Sequence, residues 1–136
     1  MKFQFINTLV ISFLSLASWS VLADQVIDIN AEQLAKQSDA NWLILDVRSA
    51  EEFSEGHVPN AINIPHTEIE QNIPLLSTHK DKPVVVYCRS GVRAAKATKI
   101  LLEYGFSEIK HLQGDMQGWQ QDGNTIEKSV NSIEKQ

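Results

Sequence analysis

The sequence has a single cysteine, Cys88, and this excludes a disulfide bond within the chain. It also has fewer basic than acidic side chains, with 12 lysines and arginines against 17 aspartates and glutamates. The formal net charge of −5 at pH 7 argues against nucleic acid or an anionic membrane surface as a partner. The folded chain must therefore depend on its hydrophobic core, and Cys88 is an inert buried residue, an intermolecular link or a reactive group.

Long apolar runs are absent except for TLVISFLSLASWSVLA near the N-terminus. The first 23 residues contain Lys2 and no acid, and Val21 and Ala23 occupy the positions that a signal peptidase reads. These features predict a signal peptide over 1–23, cut after Ala23, and a periplasmic protein. An uncleaved membrane anchor is the alternative, but four serines interrupt a run that is short for a span of about 20 apolar residues.

The rest of the chain alternates strand-like and helix-like segments. Five short apolar runs predict strands, at 25–29, 41–47, 61–65, 83–88 and 108–112. The run at 83–88 is the richest in β-branched residues, so we expect it at the centre of a sheet. The alternation predicts an α/β fold with a mostly parallel central sheet flanked by helices on both faces. We expect one domain over 24–123 and a polar, loosely held tail over 124–136.

Several local patterns indicate where helices begin and end. Capping boxes predict two helix starts, one at Asn30 with Gln33 and one at Ser49 with Glu52. A buried helix face is predicted after Cys88 and consists of Ala94, Ala97, Thr98, Leu101 and Leu102. Gly105 is suited to end that helix. The segment TEIEQNIPLL predicts one or two helical turns that Pro74 disturbs.

The segment CRSGVR lies between the central strand and this helix, at the carboxyl end of the strand, where parallel sheets form their sites. Gly91 permits a positive φ, so consecutive N–H groups can turn inward as an anion-binding nest. The following helix directs its free N–H groups to the same point. Arg89 and Arg93 add positive charge there, with no acid nearby in the sequence, although a helix start normally favours acids. We therefore expect an anion in the loop, where a Cys88 thiolate is stabilised.

The length of the loop indicates which anion it suits. Phosphatases that form a phosphocysteine place one residue more between cysteine and arginine than the four that separate Cys88 from Arg93. A shorter loop makes a narrower ring of N–H donors, too tight for phosphate but suited to one extra sulfur atom on Cys88. The loop therefore favours sulfur transfer with Cys88 as nucleophile and persulfide carrier. A phosphatase or arsenate reductase is the alternative, and hydrolysis of an aryl phosphate would support it.

Three stretches of the chain together resemble the rhodanese family, specifically its single-domain exported members. They are LDVRSAEEFSEGHVPNAINIPH, VVVYCRSGVRAAKATKILLEYGF and LQGDMQGW. The resemblance covers roughly residues 26–122. It implies a rhodanese-like fold and transfer of sulfane sulfur from thiosulfate to cyanide or another thiophile, through a cysteine persulfide. It also implies that no metal or organic cofactor takes part.

The resemblance implies a role for specific residues of this sequence. Cys88 is the nucleophile. Asp46 and Arg48 are not part of that implication: because buried charges are usually paired, we expect a partly buried Asp46 carboxylate that bonds backbone N–H groups near the loop, with Arg48 as its ion-pair partner, rather than catalytic residues. Family members usually have two adjacent glycines after the last strand, and here the second is Asp115. Aspartate tolerates left-handed backbone angles, so we expect the turn to survive, with an acid near the mouth of the site. The substrate-binding loop is formed by Arg89, Ser90, Gly91, Val92 and Arg93.

The histidines have simpler interpretations than catalysis or metal binding. His57, in the segment GHVP, is expected to fix a loop through its ring hydrogen bonds rather than to act as a general base. His66, His79 and His111 show no metal-ligand spacing, so we expect no metal site.

Two functional hypotheses follow. The first is a thiosulfate sulfurtransferase that takes sulfur from a small anionic donor and passes it to a thiophilic acceptor such as cyanide or a thiol. The second, motivated by the acidic surface and Asp115, is a persulfide carrier or sulfur-binding module without turnover that serves a partner protein. In either case we expect a monomer that binds no nucleic acid and, after signal cleavage, no membrane.

Overall fold

Five parallel strands form one sheet in the computed structural model, which describes residues 26–37 and 41–129. The strands are β1 (Ile27–Ile29), β2 (Leu43–Asp46), β3 (Ile62–Asn63), β4 (Val84–Tyr87) and β5 (Ile109–Leu112). Their order across the sheet is β1-β5-β4-β2-β3, and every pairing between them is parallel. The predicted α/β fold is confirmed, with β4 at its centre.

Helices connect the strands, as the capping boxes and apolar spacing predict. They are α1 (Ala31–Lys36), α2 (Ala50–Glu55), α3 (Ile73–Leu76), α4 (Val92–Glu103) and α5 (Asp115–Gln121). Both predicted capping boxes are present, at the starts of α1 and α2. The prediction that Pro74 disturbs a helix is wrong, because Pro74 lies in the first turn of α3, where its missing N–H is not needed. Short 3₁₀ turns lie on either side of α3, at His66–Glu68, Glu70–Asn72 and Ser77–His79.

The sheet is covered on both faces by apolar layers. Side chains alternate along β4, so that Val84 and Val86 belong to one layer while Val85 and Tyr87 belong to the other. The first layer includes the predicted buried face of α4, and the second includes residues of α1 and α5. Cys88 continues the first layer just beyond the end of β4. The thiol therefore lies where the core meets the loop that begins α4.

The segment after α5 is fixed to the domain through Glu127, so the prediction of a loosely held tail is wrong for this part. His57 and Glu127 exchange two backbone hydrogen bonds of 2.9 Å. Trp119 Nε1 donates to the Thr125 carbonyl at 2.8 Å, and Ile126 packs against the second layer. Residues 130–136 and the predicted signal peptide 1–23 lie outside the described residues. Among the residues described, no helix is long and apolar enough to cross a membrane.

Candidate active site

Cys88 lies at the base of the loop that joins β4 to α4, and the residue is only 1% exposed. The Gly91 N–H donates a hydrogen bond to Cys88 Sγ at 3.0 Å. This is made possible by the φ of Gly91, which is 111° and thus in the left-handed region that the sequence predicts for it. Gly91 is also the N-cap of α4. The loop therefore turns back over the sulfur and presents a backbone donor to it.

The first turn of α5 is hydrogen-bonded to the loop that joins β4 to α4. Met116 N–H donates to the Cys88 carbonyl at 2.9 Å, and Gln117 N–H donates to the Arg89 carbonyl at 3.1 Å. In a trans peptide the N–H points opposite to the C=O, so these contacts turn the amides that follow the two carbonyls away from α5. A third bond runs the other way, because the Cys88 N–H donates to Asp115 Oδ1 at 2.9 Å. Together these three bonds fix the backbone of the candidate nucleophile.

Arg93 is paired with an acid, contrary to what the sequence suggests. Its two terminal nitrogens donate to the Glu52 carboxylate at 2.6 and 2.9 Å. The hydrogen bond with Arg93 lowers the pKa of Glu52 to about 2. The same contact raises the pKa of Arg93, with a smaller contribution from the nearby Cys88. In the sequence Glu52 shows only its role in the capping box of α2, because it lies 41 positions before Arg93 and nothing local indicates their contact.

Arg89 and the exposed Ser90 and Val92 form the outer rim of the loop. Within the described ranges, Arg89 makes no ion pair. Its side chain lines a cleft of about 450 Å³, between the loop, α2 and α5. The cleft also contains charged side chains of Arg48, Glu52 and Glu55. Arg89 is thus the guanidinium most available to a small anion that approaches the loop.

Asp46 and Arg48 form a buried ion pair at the end of β2, as the sequence predicts. Arg48 Nη2 lies 2.7 Å from Asp46 Oδ2 and also donates to the Gly56 carbonyl at 2.8 Å. Burial alone would lower the pKa of Arg48, but the hydrogen bonds and charge of Asp46 outweigh it and the pKa is raised. The pair therefore joins the end of β2 to Gly56, the residue that ends α2. Glu52 lies in the first turn of the same helix.

Asp115 is buried beneath the loop and not at its mouth, which corrects the expected position of this acid. Its exposure is 2%, and its φ of 53° confirms that aspartate keeps the left-handed turn where a second glycine is usual. Asp115 Oδ2 lies 2.9 Å from His111 Nε2, and His111 Nδ1 lies 3.2 Å from Asp28 Oδ1. The hydrogen bond with Asp115 raises the pKa of His111, with Asp28 as a smaller cause. No feature of the sequence pointed to His111 as part of this site.

His57 has the structural position that the sequence predicts. Its Nδ1–H donates to the Phe53 carbonyl at 2.7 Å, and its ring stacks on that of Phe53 at 3.6 Å between centroids. Within residues 26–37 and 41–129, no group of three or more histidine, cysteine, aspartate or glutamate side chains is placed to hold a metal ion.

A family model described as the rhodanese-like domain matches residues 30–122, which is more than half of the chain. The chain belongs to the rhodanese-like family. Among solved structures, this rhodanese-like domain is similar to a rhodanese-related protein of Thermoplasma volcanium, with 31% identity and a TM-score of 0.66. That match covers 76% of this chain and 99% of the other. The predicted membership of the rhodanese family is confirmed, whereas export stays a prediction.

Two further relatives are much longer proteins. A thiosulfate sulfurtransferase of Pseudomonas aeruginosa is 26% identical with a TM-score of 0.71, over 78% of this chain and 21% of that one. A tRNA uridine(34) hydroxylase of Escherichia coli (strain K12 / DH10B) is 34% identical over 88 residues, which are 62% of this chain and 25% of the hydroxylase. The chain thus spans about a quarter of the curated relatives that it matches. The rhodanese-like domain therefore has neighbours of the sulfurtransferase type.

Proposed function

We propose that this protein is a sulfurtransferase that carries sulfane sulfur as a persulfide on Cys88, with thiosulfate as the donor. The observation that carries the proposal is the hydrogen bond from the Gly91 N–H to Cys88 Sγ at the base of a short loop. A backbone donor aimed at the sulfur stabilises a thiolate, which is the nucleophilic form. The confirmed family and the thiosulfate sulfurtransferase among its neighbours support the same reaction.

The proposed reaction has two steps. The Cys88 thiolate attacks the outer sulfur of thiosulfate, the S–S bond of thiosulfate breaks with its electron pair, and sulfite leaves. The product is an anionic Cys88 persulfide, whose outer sulfur the loop amides of residues 89–93 hold. A thiophile such as cyanide or a thiolate then attacks the outer sulfur, takes it, and regenerates the Cys88 thiolate.

The loop side chains have separate parts in this scheme. Arg89, which lines the cleft, attracts the dianionic donor. Arg93 is held against Glu52, so its net contribution to the field is smaller. Ser90, Gly91 and Val92 supply loop backbone, and the Asp46–Arg48 pair supports the end of the neighbouring strand.

A steady-state assay of the purified protein with thiosulfate and cyanide tests this function. We expect sulfite and thiocyanate to appear in equal amounts, and Cys88→Ala and Cys88→Ser to abolish both. His79→Gln is the control, because the turn of His79 precedes β4 whereas Cys88 follows the carboxyl end of that strand, so the length of β4 separates the two residues. Activity that survives removal of the thiol would contradict the proposal.

A persulfide carrier without turnover is the second candidate, and two contacts favour it. Glu52 neutralises Arg93, and the carboxylate of Asp115 lies directly under Cys88, so the loop offers a dianion less positive charge than its arginines suggest. A carrier would accept sulfur from a low-molecular-weight persulfide or a partner protein but would not gain it from thiosulfate. Measuring the sulfur that Cys88 gains from thiosulfate and from a low-molecular-weight persulfide separates the two candidates.

We also propose that the protein works in the periplasm as a monomer, after removal of residues 1–23. The support is the apolar N-terminal run and its small residues before Asp24. N-terminal sequencing of protein recovered from the periplasmic fraction of an exporting host should begin at Asp24. An N-terminus at Met1, in the membrane fraction, would favour the uncleaved anchor instead.

A further inference from the structure

His111 faces a carboxylate at each of its ring nitrogens. Nε2 lies 2.9 Å from Asp115 Oδ2, and Nδ1 lies 3.2 Å from Asp28 Oδ1. Ionised carboxylates only accept hydrogen bonds, and a neutral imidazole has a single N–H to donate. Both contacts are therefore satisfied together only by the doubly protonated ring.

Asp115 connects this histidine to the backbone of the candidate nucleophile. While Oδ2 contacts His111, Oδ1 accepts the Cys88 N–H at 2.9 Å. Asp115 Oδ2 also lies 3.3 Å from the place that a Cβ on Gly91 would occupy, so it packs against the residue whose N–H bonds to Cys88 Sγ. The Asp115 carboxylate thus contacts both residues that form the hydrogen bond to sulfur, the donor Gly91 and the acceptor Cys88.

The charge beneath the loop depends on the proton of His111. With the ring protonated, the imidazolium offsets the buried carboxylate of Asp115, whose side chain is 3% exposed. When the ring loses its proton, that negative charge faces a loop that holds a thiolate, a persulfide or thiosulfate. Like charges at this spacing disfavour each other, and burial limits the screening by salt.

We propose that Asp115 and His111 form a positioning pair for the Cys88 loop, in which the proton on His111 sets how well the loop tolerates an anion. The proposal rests on the proposed sulfur-transfer function, which supplies the anions. Neither residue touches the reacting sulfur, so neither is a catalytic residue. The pair predicts that thiosulfate binds less well as the pH rises through the titration of His111.

The other groups around His111 come from three elements. Asp28 on β1 is largely exposed, and its pairing with His111 is screened by solvent. Lys99 on α4 lines the same cavity of about 400 Å³ as His111 and Gly91. On β4 the residue that pairs with His111 is Val86, which is apolar. Asp115 is thus the buried charge among these groups. We expect it to affect the titration of His111 more than Asp28 or Lys99 does.

Proton and nitrogen NMR of the full protein between about pH 5 and 9 tests the pair without using activity. We expect the Cys88 amide resonance to shift with the same midpoint as the His111 ring resonances. In His111→Gln the part of the amide shift that follows the His111 midpoint should vanish, while in Asp115→Asn the His111 midpoint should move to lower pH. Asparagine accepts left-handed backbone angles, so Asp115→Asn should keep the turn. His79→Gln and Asp122→Asn are controls that leave the amide titration unchanged.

Kinetics provide the second readout. The KM for thiosulfate should rise roughly three- to tenfold across the His111 titration in the wild type and stay level in His111→Gln. Asp115→Asn should lower the KM on the alkaline side, since the buried charge is gone. A Cys88 amide that does not titrate in the wild type, or an unchanged KM profile in His111→Gln, would overturn the positioning pair. A coupled amide titration without any sulfur transfer would instead contradict the proposed function and leave the pair intact.

Discussion

Arg89 and Arg93 flank the same thiol but differ in their surroundings. Arg93 is held by two hydrogen bonds to Glu52, whereas Arg89 lines the open cleft and makes no ion pair within the described residues. An ion pair presents little net charge to a ligand, so most of the attraction for a dianion should come from Arg89. Removing the acid of the pair should therefore release the charge of Arg93.

Glu52→Gln should lower the KM for thiosulfate roughly two- to fivefold at low salt, and high salt should diminish the effect. Glutamine can still serve the capping box with Ser49, so α2 should keep its start. Glu51→Gln, which removes an exposed charge from the same helix turn, is the matched control. Equal KM values for the two variants at low salt would show that Glu52 does not limit donor binding.

Arg93→Ala should have the opposite effect, because it leaves the carboxylate of Glu52 unpaired beside the loop. We expect a rise in the KM for thiosulfate that shrinks with added salt. An unchanged KM at low salt would show that Arg93 is only a surface residue of α4.

Single residues of the site were predictable to the extent that they belong to a local motif. The positive φ of Gly91, the position of Cys88 after the central strand and the Asp46–Arg48 pair all follow from neighbours in sequence. Glu52 and His111 did not stand out, because their partnerships depend on how helices and strands pack. Asp28 reaches His111 only because β1 pairs with β5 in a particular register.

At the scale of elements, the segment after α5 contributes more than its polar composition suggests. Residues Thr125 to Glu127 bridge α5 and the loop before β3, through the Trp119 side chain and the His57 backbone. Ile126 supplies the apolar contact, and it lies so close to Gly56 that a Cβ there would be 3.0 Å from its Cδ1. Gly56 also accepts the hydrogen bond from Arg48. The segment thus supports the far end of the candidate site.

Ile126→Ala should lower the free energy of unfolding by roughly 1–2 kcal/mol, less than for a fully buried isoleucine because Ile126 is only half-buried. Urea unfolding followed by tryptophan fluorescence measures the change, and Lys128→Ala is a control at an exposed position. Equal unfolding midpoints for the wild type and Ile126→Ala would contradict a structural role for this segment.

Helices and strands were predictable where one local signal dominates. The capping boxes of α1 and α2 and the apolar face of α4 appear as expected, because each depends on residues within one or two helical turns. The sequence predicts a tail over 124–136, because nothing local shows that residues 124–127 have partners in other elements, His57 and Trp119. The sequence does not show whether Pro74 begins or interrupts a helix, because the two cases differ only in where the helix starts.

At the scale of the whole molecule, the Glu52–Arg93 pair links α2 to α4, and its contribution to stability depends on pH. The pKa of Glu52 is lowered to about 2 in the folded state, below the unfolded value of about 4.3. The folded state thus gains stability above about pH 4.3 and loses it as the pH falls towards 2. Partial exposure of both side chains limits the gain to less than about 3 kcal/mol.

Acid unfolding should therefore separate Glu52→Gln from the wild type. Between about pH 5 and 3, the free energy of unfolding should fall less steeply in the variant, because it has no carboxylate at position 52 to protonate. Circular dichroism during urea titrations at each pH measures the slopes, with Glu51→Gln as the control. Parallel slopes for Glu52→Gln and the wild type would show that the pair does not contribute to acid stability.

Intact-mass spectrometry measures directly whether Cys88 carries sulfur taken from thiosulfate. Purified protein is incubated with thiosulfate in the absence of any acceptor, beside a Cys88→Ser sample treated in the same way. The proposed chemistry predicts a rapid gain of one sulfur atom by the wild type, no gain by the variant, and loss of the added mass when cyanide follows. A wild-type mass that thiosulfate leaves unchanged, in protein that does accept sulfur from a low-molecular-weight persulfide, would contradict the claim and favour the carrier.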